Sequence, residues 1–399
     1  MCRRTIPIAA VVASVLVNSP AWAQPSQDAA TVDRRWQWTT EASGFVGFNY
    51  QRRKFRDFHT VESQNWLMGA GARPAGGGTL TVHGMLSLEP FTMQALGSPQ
   101  VFQTGETFRG APLVDYQHPH DLLMQLGTGY ARPIAGTRPT TLHASGWLVG
   151  SPALGPSPFM HRRSAMDNPQ VSLTHHYLDS THITSSVVSV GVDRQPWQVE
   201  ASWFRGREPD ENRTDWDGGA PDSWSARLSW TSGGWTGQFS GARLREPERL
   251  EPFDQTRLTA SIGYSSGSLD ALLAWGENRE IHGNLDAYLL EARAQLSPLN
   301  AVYTRVELAA KDLLDTGGLH PLGFMHPHRI SRVAAFSGGF VRDLVLSRYG
   351  RLGVGGDVTG YLIAENLKDS YGTPWSFHVF VRLRTGGTGA AHTHMRLEP

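Results

Sequence analysis

Cysteine is almost absent from this chain: among 399 residues the only one is Cys2. A disulfide-stapled fold is therefore excluded, and something other than covalent cross-links must hold the chain together. Basic residues do not exceed acidic ones, because Lys+Arg (36) equals Asp+Glu (36). The chain therefore lacks the excess positive charge that is typical of nucleic-acid-binding proteins. After the N-terminal segment, no apolar run reaches the roughly 18 residues that predict a transmembrane helix.

The N-terminal segment has the layout of a secretory signal peptide. Arg3 and Arg4 precede an apolar run over residues 6–17, and AWA at 21–23 is a small-x-small cleavage site. The apolar run is shorter than the about 20 residues that a membrane-spanning helix needs. We therefore expect residues 1–23 to be removed, which leaves a mature chain without any thiol.

Alternation of apolar and polar residues with a period of two runs through most of the remaining chain. From Trp197 to Trp203 the odd positions are apolar and the even positions are polar. The same alternation recurs at 224–230, 290–296, 302–308 and 375–384. A period of two indicates strands with two unlike faces. Tryptophans six residues apart span about 20 Å at about 3.3 Å per residue, which matches the two aromatic girdles of a membrane barrel.

The whole pattern predicts an all-β fold, a transmembrane antiparallel up-and-down β-barrel of about sixteen strands. The predicted strands start near Trp36, Val61, Thr79, Leu122, Thr140, His182, Trp197, Ser223, Trp235, Thr256, Ser268, Ala287, Ala301, Arg332, Arg351 and Trp375. An even strand count places both termini on the same side of the membrane. The alternative is a secreted β-sandwich or propeller, although no repeat of 40–50 residues is visible.

Predicted short and long connections alternate strictly along the chain, as in outer-membrane barrels with short periplasmic turns and long outer loops. The short ones fall at 73–78, 133–138, 194–196, 232–234, 265–267, 297–300 and 344–349. The long ones fall at 52–59, 90–120, 150–181, 206–222, 246–255, 276–286, 311–330 and 364–374. We expect some of these long loops to fold into the lumen.

This organisation predicts a Gram-negative outer-membrane location and four segments. Residues 1–23 are the signal peptide, 24–34 a short N-terminal segment, 35–385 the barrel and 386–399 a flexible tail. The expected partners are outer-membrane lipid, the barrel-assembly machinery and a small solute or metal ion, with no nucleic acid. No N-terminal plug domain is expected, because the first strand begins about a dozen residues after the cleavage site.

A barrel of about sixteen strands is wide enough for an aqueous lumen. The polar positions of the predicted strands should line it and either wet the lumen or set its selectivity. These residues are His83, His143, Glu200, Arg227, Glu291, Arg293, Arg305, Glu307, His378, Arg382 and Arg384. Since these residues carry both positive and negative charges, no strong preference for anions or cations is expected.

Histidines are concentrated in the predicted long loops, and two His-Pro-His motifs stand out among the 16 histidines. A proline between two histidines restricts the backbone and can direct both rings to one place. Imidazole suits Cu, Zn and Ni, and the Met thioether favours Cu(I). The candidate ligands are His118, His120, Asp121, His161, His175, His176, Met325, His326 and His328, with Cu or Zn as the ion. The alternative is that these side chains only pack the loops.

Two other loop segments are distinctive. Residues 205–217 are dense in carboxylates, which are the ligands that Ca²⁺ prefers. Their spacing matches no calcium-binding loop, so a solvated loop with internal Arg–carboxylate pairs is favoured. Residues 157–169 are irregular and mixed in polarity. Because long loops are usually functional, we interpret this segment as a loop that constricts or caps the lumen.

Several loop motifs carry a resemblance. DYQHPHDLLM at 115–124, the segment from FMH at 159 to DNP at 169, WFRGREPDENR at 203–213 and DSWSARL at 222–228 resemble a family of poorly characterised proteobacterial outer-membrane proteins. That family is associated with heavy-metal and copper resistance gene neighbourhoods. The resemblance covers most of the mature chain and implies a barrel, and it links the chain to metals by association only.

Three functions follow as hypotheses. The first is a channel or porin-like protein for small solutes, linked to copper or another transition metal through its His/Met loops. The second is a surface metal-binding barrel without transport. The third is an outer-membrane hydrolase, for which His182 with Ser185 or Ser186, or His175 and His176 with Asp179 and Ser180, supply the residue types. Since no Gly-x-Ser-x-Gly motif is present, we expect no enzyme.

Overall fold

In the computed structural model, the described residues are 35–136, 138–249, 253–314, 329–347 and 349–385. The strands are β1 (Gln37–Arg53), β2 (Arg56–Glu62), β3 (Asn65–Ala75), β4 (Gly78–Leu86), β5 (Ser98–Pro99), β6 (Glu106–Phe108), β7 (Ala111–Leu113), β8 (Tyr116–Gln117), β9 (Leu123–Ile134), β10 (Thr140–Gly150), β11 (Thr184–Arg194), β12 (Trp197–Phe204), β13 (Ser223–Ser232), β14 (Trp235–Leu244), β15 (Gln255–Ser265), β16 (Leu269–Glu280), β17 (Gly283–Ser297), β18 (Asn300–Lys311), β19 (Ser331–Ser347), β20 (Gly350–Ile363) and β21 (Trp375–Thr385). Helices are short: α1 (Glu89–Thr92), α2 (His175–Leu178), α3 (Lys368–Tyr371), and 3₁₀ turns at Phe159–His161, Ser180–His182 and Glu365–Leu367.

The long strands form a closed antiparallel barrel of 16 strands, as the sequence predicts. β2 and β3 count as one barrel strand, because both pair with β1 and only residues 63–64 separate them. The barrel closes where β1 pairs with β21, from Ala42 opposite Thr385 to Arg52 opposite Trp375. Closure leaves the barrel wall without an open edge, so its backbone hydrogen bonds are satisfied inside a bilayer.

The period-two pattern decides which face of each strand meets lipid. In β12, Trp197, Val199 and Trp203 are exposed on the outer wall, whereas Glu200 and Ser202 are buried in the lumen. Trp197 lies opposite Trp230 and Trp203 opposite Trp224, so the two strands place paired tryptophans at both ends of an apolar band. This exposed apolar belt is the lipid-facing surface of a transmembrane barrel.

Two predicted long loops are in fact tight turns. β1 and β2 are joined by residues 54–55 alone, and β16 and β17 by residues 281–282 alone. His59, expected in the first of these loops, lies on β2, where its ring contacts that of Phe48 at 6.2 Å between centroids. The prediction failed because strands that continue beyond the apolar band are polar on both faces and therefore look like loops.

Other predicted features lie outside the described residues. These are the signal peptide, the segment 24–34, the tail 386–399 and most of the loop at 311–330. The second His-Pro-His motif belongs to that loop, so Met325, His326 and His328 are not described. Within the described part of the chain, no helix is long and apolar enough to cross a membrane.

Two loops fold inward into the lumen, as predicted for some of the long connections. Residues 87–122, which contain α1 and β5 to β8, line one side. Residues 151–183, called the plug here, pass through the centre and are mostly buried. Tyr177 and Leu178 of α2 pack on a wall cluster of Leu272, Ala274, Leu285, Ala287, Leu289, Ala309 and Ala310. Burial of such a leucine stabilises the inserted state by about 1.5–3 kcal/mol.

Candidate functional site

Ion pairs fix the plug to the barrel wall. Arg162 donates from Nε to Glu291 Oε2 at 2.9 Å and from Nη1 to Asp179 Oδ2 at 2.5 Å. Arg305 on β18 donates from Nε to Glu291 Oε1 at 3.0 Å. These groups are all buried, so the plug and the wall share one hydrogen-bonded charge network in which each charge has an opposite partner.

A second anchor is the carboxylate of Asp167, which is fully buried in the plug. Arg293 donates from Nε to its Oδ2 at 2.6 Å, Arg382 binds its Oδ1, and the Nη1 of Arg384 lies 3.7 Å from Oδ1. Burial alone would raise the pKa of Asp167, but Arg382 and Arg293 outweigh it and hold the pKa below its usual value. Asp167 is therefore an ionised clamp that joins the plug to β17 and β21.

Three imidazole rings meet at one end of the plug. The ring centroids of His120 and His175 lie 5.4 Å and 5.2 Å from that of His182. Each Nδ1 lies 2.8 Å from an oxygen: that of His120 from Glu89 Oε2, that of His175 from Asp179 Oδ1 and that of His182 from the Asp179 carbonyl. These contacts fix the orientation of the rings.

Next to these rings, one histidine lies among carboxylates. His176 Nε2 is 3.6 Å from Glu106 Oε1, and His176 Nδ1 is 3.6 Å from Glu208 Oε1. One donor atom from each of these three residues lies within 4.8 Å of the other two, a spacing that could hold a metal ion. Both nitrogens of His176 and the Oε1 of Glu208 are buried and have no hydrogen-bond partner among the described residues.

Four chain segments build this second cluster. Glu106 is on β6, His176 on α2, Glu208 follows β12, and Glu248, whose Oε1 is 3.9 Å from His176 Nδ1, follows β14. Burial would raise the pKa of Glu208, but His176 and Arg257 lower it well below the usual value, so the carboxylate is ionised. Gly105, at φ +117°, packs on the imidazole of His176 so closely that a Cβ would fall 2.8 Å from it.

The two histidines of the first His-Pro-His motif have different neighbours. His120 joins His175 and His182, whereas His118 contacts Glu106 and accepts a hydrogen bond at Nδ1 from Arg213 Nη2 at 2.7 Å. Burial is the main reason that the pKa of His118 lies well below its usual value, and Arg213 adds to the effect. The two rings therefore border the two neighbouring clusters.

The structure does not bring all predicted ligands together. Asp121 accepts from Arg213 Nη1 at 3.2 Å, and burial raises its pKa to about 6. His161 packs on Trp66, with 5.0 Å between ring centroids. Of the predicted metal set, His120, His175 and His176 are the described residues that lie in the clusters.

The predicted lumen-facing residues all lie on the inner wall, but the plug and its neighbouring loops already engage several of them. Arg227 pairs with Glu200 at 2.9 Å and also donates to the Gly155 carbonyl at 3.2 Å. Glu307 accepts from the Thr174 amide at 3.2 Å. The mixed charges of the lumen therefore serve largely to hold the plug.

The residue types suggested for a hydrolase do not form a nucleophile–base pair. His175 is paired with Asp179, but the hydroxyl of Ser180 accepts from Arg257 Nη1 at 2.8 Å rather than bonding a histidine. His182 uses Nδ1 on a backbone carbonyl. In the described part of the chain, this arrangement lacks the hydrogen bond that activates a serine.

Sequence reasoning missed several site residues. Glu89, Glu106 and Glu208 were not proposed as ligands or partners, and His182 was considered only as a catalytic base. Glu208 lies in the acidic loop 205–217, for which a solvated loop was favoured over a calcium site; three of its carboxylates lie together, Asp210 and Asp215 exposed and Asp217 partly buried. The arginines of that loop pair mainly with other loops, as Arg207 does with Glu246 at 2.7 Å.

Comparison with solved structures finds porins. The chain is similar to an anion-selective porin from Comamonas acidovorans, with TM-score 0.52 and 11% identity over 88% of this chain and 100% of that chain. OmpF of Salmonella typhi, in complex with daunomycin, matches with TM-score 0.53 and 9% identity over 87% of this chain and 97% of that chain. The outer-membrane channel DcaP of Acinetobacter baumannii matches with TM-score 0.51 and 10% identity over 88% of this chain and 97% of that chain. At these identities the likeness establishes the fold alone.

A scan against protein-family models and a search of curated proteins find no match for this chain. The association with copper resistance gene neighbourhoods therefore stays a hypothesis.

Proposed function

We propose that this chain is an outer-membrane channel of porin architecture whose loops bind a divalent transition-metal ion at Glu106, His176 and Glu208. The unsatisfied donor set around His176 is the observation that carries the proposal. A buried polar group without a partner costs about 1–3 kcal/mol. An ion bound by one imidazole and two carboxylates would remove that cost, and Zn²⁺ accepts both ligand types.

The position of the cluster supports a role in capture from outside the cell. The exposed apolar belt supports insertion in the outer membrane, where long loops face the exterior. Glu106, His176 and Glu208 come from three separate long connections. An ion at this point would therefore cross-link three loops above the lumen.

The plug supports regulated rather than free passage. It reaches Ser202 on β12 through the Ala153 amide at 2.8 Å and binds Arg293 on β17 and Arg382 on β21 through Asp167. These contacts reach three strands of the wall, so in this proposal a small hydrophilic solute passes when the plug moves. The channel proposal therefore requires two states of the plug.

Metal binding can be tested by calorimetry on refolded protein in detergent, with Zn²⁺ as the probe. We expect the double change Glu106→Gln and Glu208→Gln to abolish one Zn²⁺ site, because both charged ligands are lost while side-chain shape is kept. His59→Ala removes an exposed histidine from the outer wall and serves as the matched control. Equal stoichiometry and affinity in the double variant and the wild type would overturn the proposal.

A plain channel for small solutes is the second candidate, and it is favoured by the closed 16-strand barrel with a polar inner wall. It makes a different prediction for planar bilayers. A plain channel conducts in the same way with EDTA or with Zn²⁺, whereas a metal-handling channel changes its open probability when Zn²⁺ is added.

A further inference from the structure

Three outer loops meet at the proposed metal site, and direct hydrogen bonds join them to one another. They are residues 87–122, 205–222 and 245–249, called the collar here. Glu211 in the second loop accepts a hydrogen bond from Thr107 Oγ1 in the first loop at 2.9 Å. The first two loops are therefore connected without an ion.

The second and third loops of the collar are connected in the same way. The Glu208 amide donates to the Pro247 carbonyl at 3.1 Å, and Arg207 Nη2 donates to Glu246 Oε2 at 2.7 Å. The first of these bonds fixes the backbone of a residue whose carboxylate belongs to the metal site. The collar therefore positions its acidic ligands before any ion binds.

The remaining ligand, His176, belongs to the plug and not to the collar. It lies on α2, which is bonded to the wall because Asn278 Nδ2 donates to the His176 carbonyl at 3.1 Å. The buried imidazole faces Glu106 Oε1 and Glu208 Oε1 of the collar, each at 3.6 Å from one ring nitrogen. Neither nitrogen has a hydrogen-bond partner among the described residues. The ring therefore offers a donor at the boundary between the plug and the collar.

We propose that Zn²⁺ or a similar ion at Glu106, His176 and Glu208 holds the plug in the lumen, so that the ion acts as the ligand that closes the channel. This inference rests on the proposed metal site and adds its effect on the plug. Since the collar loops already bind one another, the connection that the ion adds is the one to His176. A displaced plug would take this imidazole away from the two carboxylates, so the ion binds the inserted state more tightly and shifts the plug toward it.

The size of this shift follows from the linkage between binding and conformation. An ion that binds only the inserted state multiplies the ratio of inserted to displaced plug by one plus the free ion concentration divided by Kd. At free Zn²⁺ of 100 times Kd, the ratio rises about 100-fold. The channel would therefore close when the ion is plentiful outside the cell and open when it is scarce.

Hydrogen–deuterium exchange of the refolded full chain in detergent measures the opening of the plug directly. The exchange rates are compared in EDTA and in Zn²⁺ at 100 times the Kd found by calorimetry. We expect the amides of residues 151–183 to exchange up to about 100-fold more slowly with Zn²⁺, because exchange through local opening depends on the opening equilibrium. The collar should respond less, since its loops are already bonded to one another.

Two pairs of substitutions provide a matched comparison. Glu106→Gln with Glu208→Gln should abolish the slowing by Zn²⁺, because both carboxylate ligands are lost. Asp210→Asn with Asp215→Asn removes two exposed carboxylates from the same outer loop as Glu208 and should keep the slowing. If the first pair does not refold to a heat-modifiable barrel, His176→Gln removes the ligand on the plug side and should abolish the slowing in the same way.

Calorimetry on the same samples separates the two proposals. Zn²⁺ binding together with slower exchange of the plug supports closure by the ion. Zn²⁺ binding that leaves the exchange of the plug unchanged, or that slows the collar alone, overturns closure by the ion and leaves the metal site standing. Absence of Zn²⁺ binding overturns both.

Discussion

Asp167 provides the sharpest test of whether the plug closes the lumen. Asp167→Asn keeps the shape of the side chain but removes the charge that Arg293, Arg382 and Arg384 share. Removing one partner from a buried ion pair costs about 3–5 kcal/mol. At about 1.4 kcal/mol per factor of ten, the equilibrium between inserted and displaced plug should shift by about 10²–10⁴.

Single-channel recording in planar bilayers at neutral pH measures the consequence. We expect Asp167→Asn to show frequent large openings that the wild type lacks. The control is Asp254→Asn, which breaks an exposed pair with Arg243 at 3.0 Å; since exposed pairs contribute about 0–1 kcal/mol, its conductance should match the wild type.

The position of the plug can be followed independently of current. Because the mature chain is expected to lack cysteine, Ser172→Cys supplies a unique thiol at a position that is fully buried. Maleimide should label it slowly in the wild-type background and much faster with Asp167→Asn. Identical conductance and identical labelling in the two backgrounds would refute the idea that the Asp167 clamp holds the plug.

Two further predictions concern acid and the glycine beside His176. The pKa of Asp167 in the folded protein lies below the usual 3.8, so its ion pairs stabilise the inserted plug fully above pH 3.8. This stabilisation is lost as the pH falls through the lower pKa. Single-channel conductance should therefore rise in strong acid but stay flat from pH 6 to 8. Gly105→Ala should displace the His176 ring and weaken the carboxylate site, whereas Gly110→Ala, also at positive φ but in open space, should bind Zn²⁺ normally; equal affinities would show that the contact is unimportant.

The barrel follows from the amino-acid sequence alone. Strand identity and the lipid or lumen face of each residue follow from a period of two, which is a local property that the stretch from Trp197 to Trp203 displays without reference to the rest of the chain. Most predicted strand starts agree with the structure for the same reason, whereas those near Val61 and Ala287 fall inside strands that begin at Arg56 and Gly283. Strand ends were less predictable, since Arg53 and Arg279 continue hydrogen-bonded strands into water with the composition of loops.

How the loops meet depends on long-range contacts that form when the chain folds. His120, His176 and Glu208 are separated by dozens of residues, and no periodicity relates them. Their proximity depends on the plug being inserted, which in turn depends on long-range pairs such as Asp167 with Arg382. The two histidines of the first His-Pro-His motif show the same dependence. Arg213 from another loop donates a hydrogen bond to His118, whereas Glu89 contacts and orients His120. The two rings differ because different charged side chains surround them after folding.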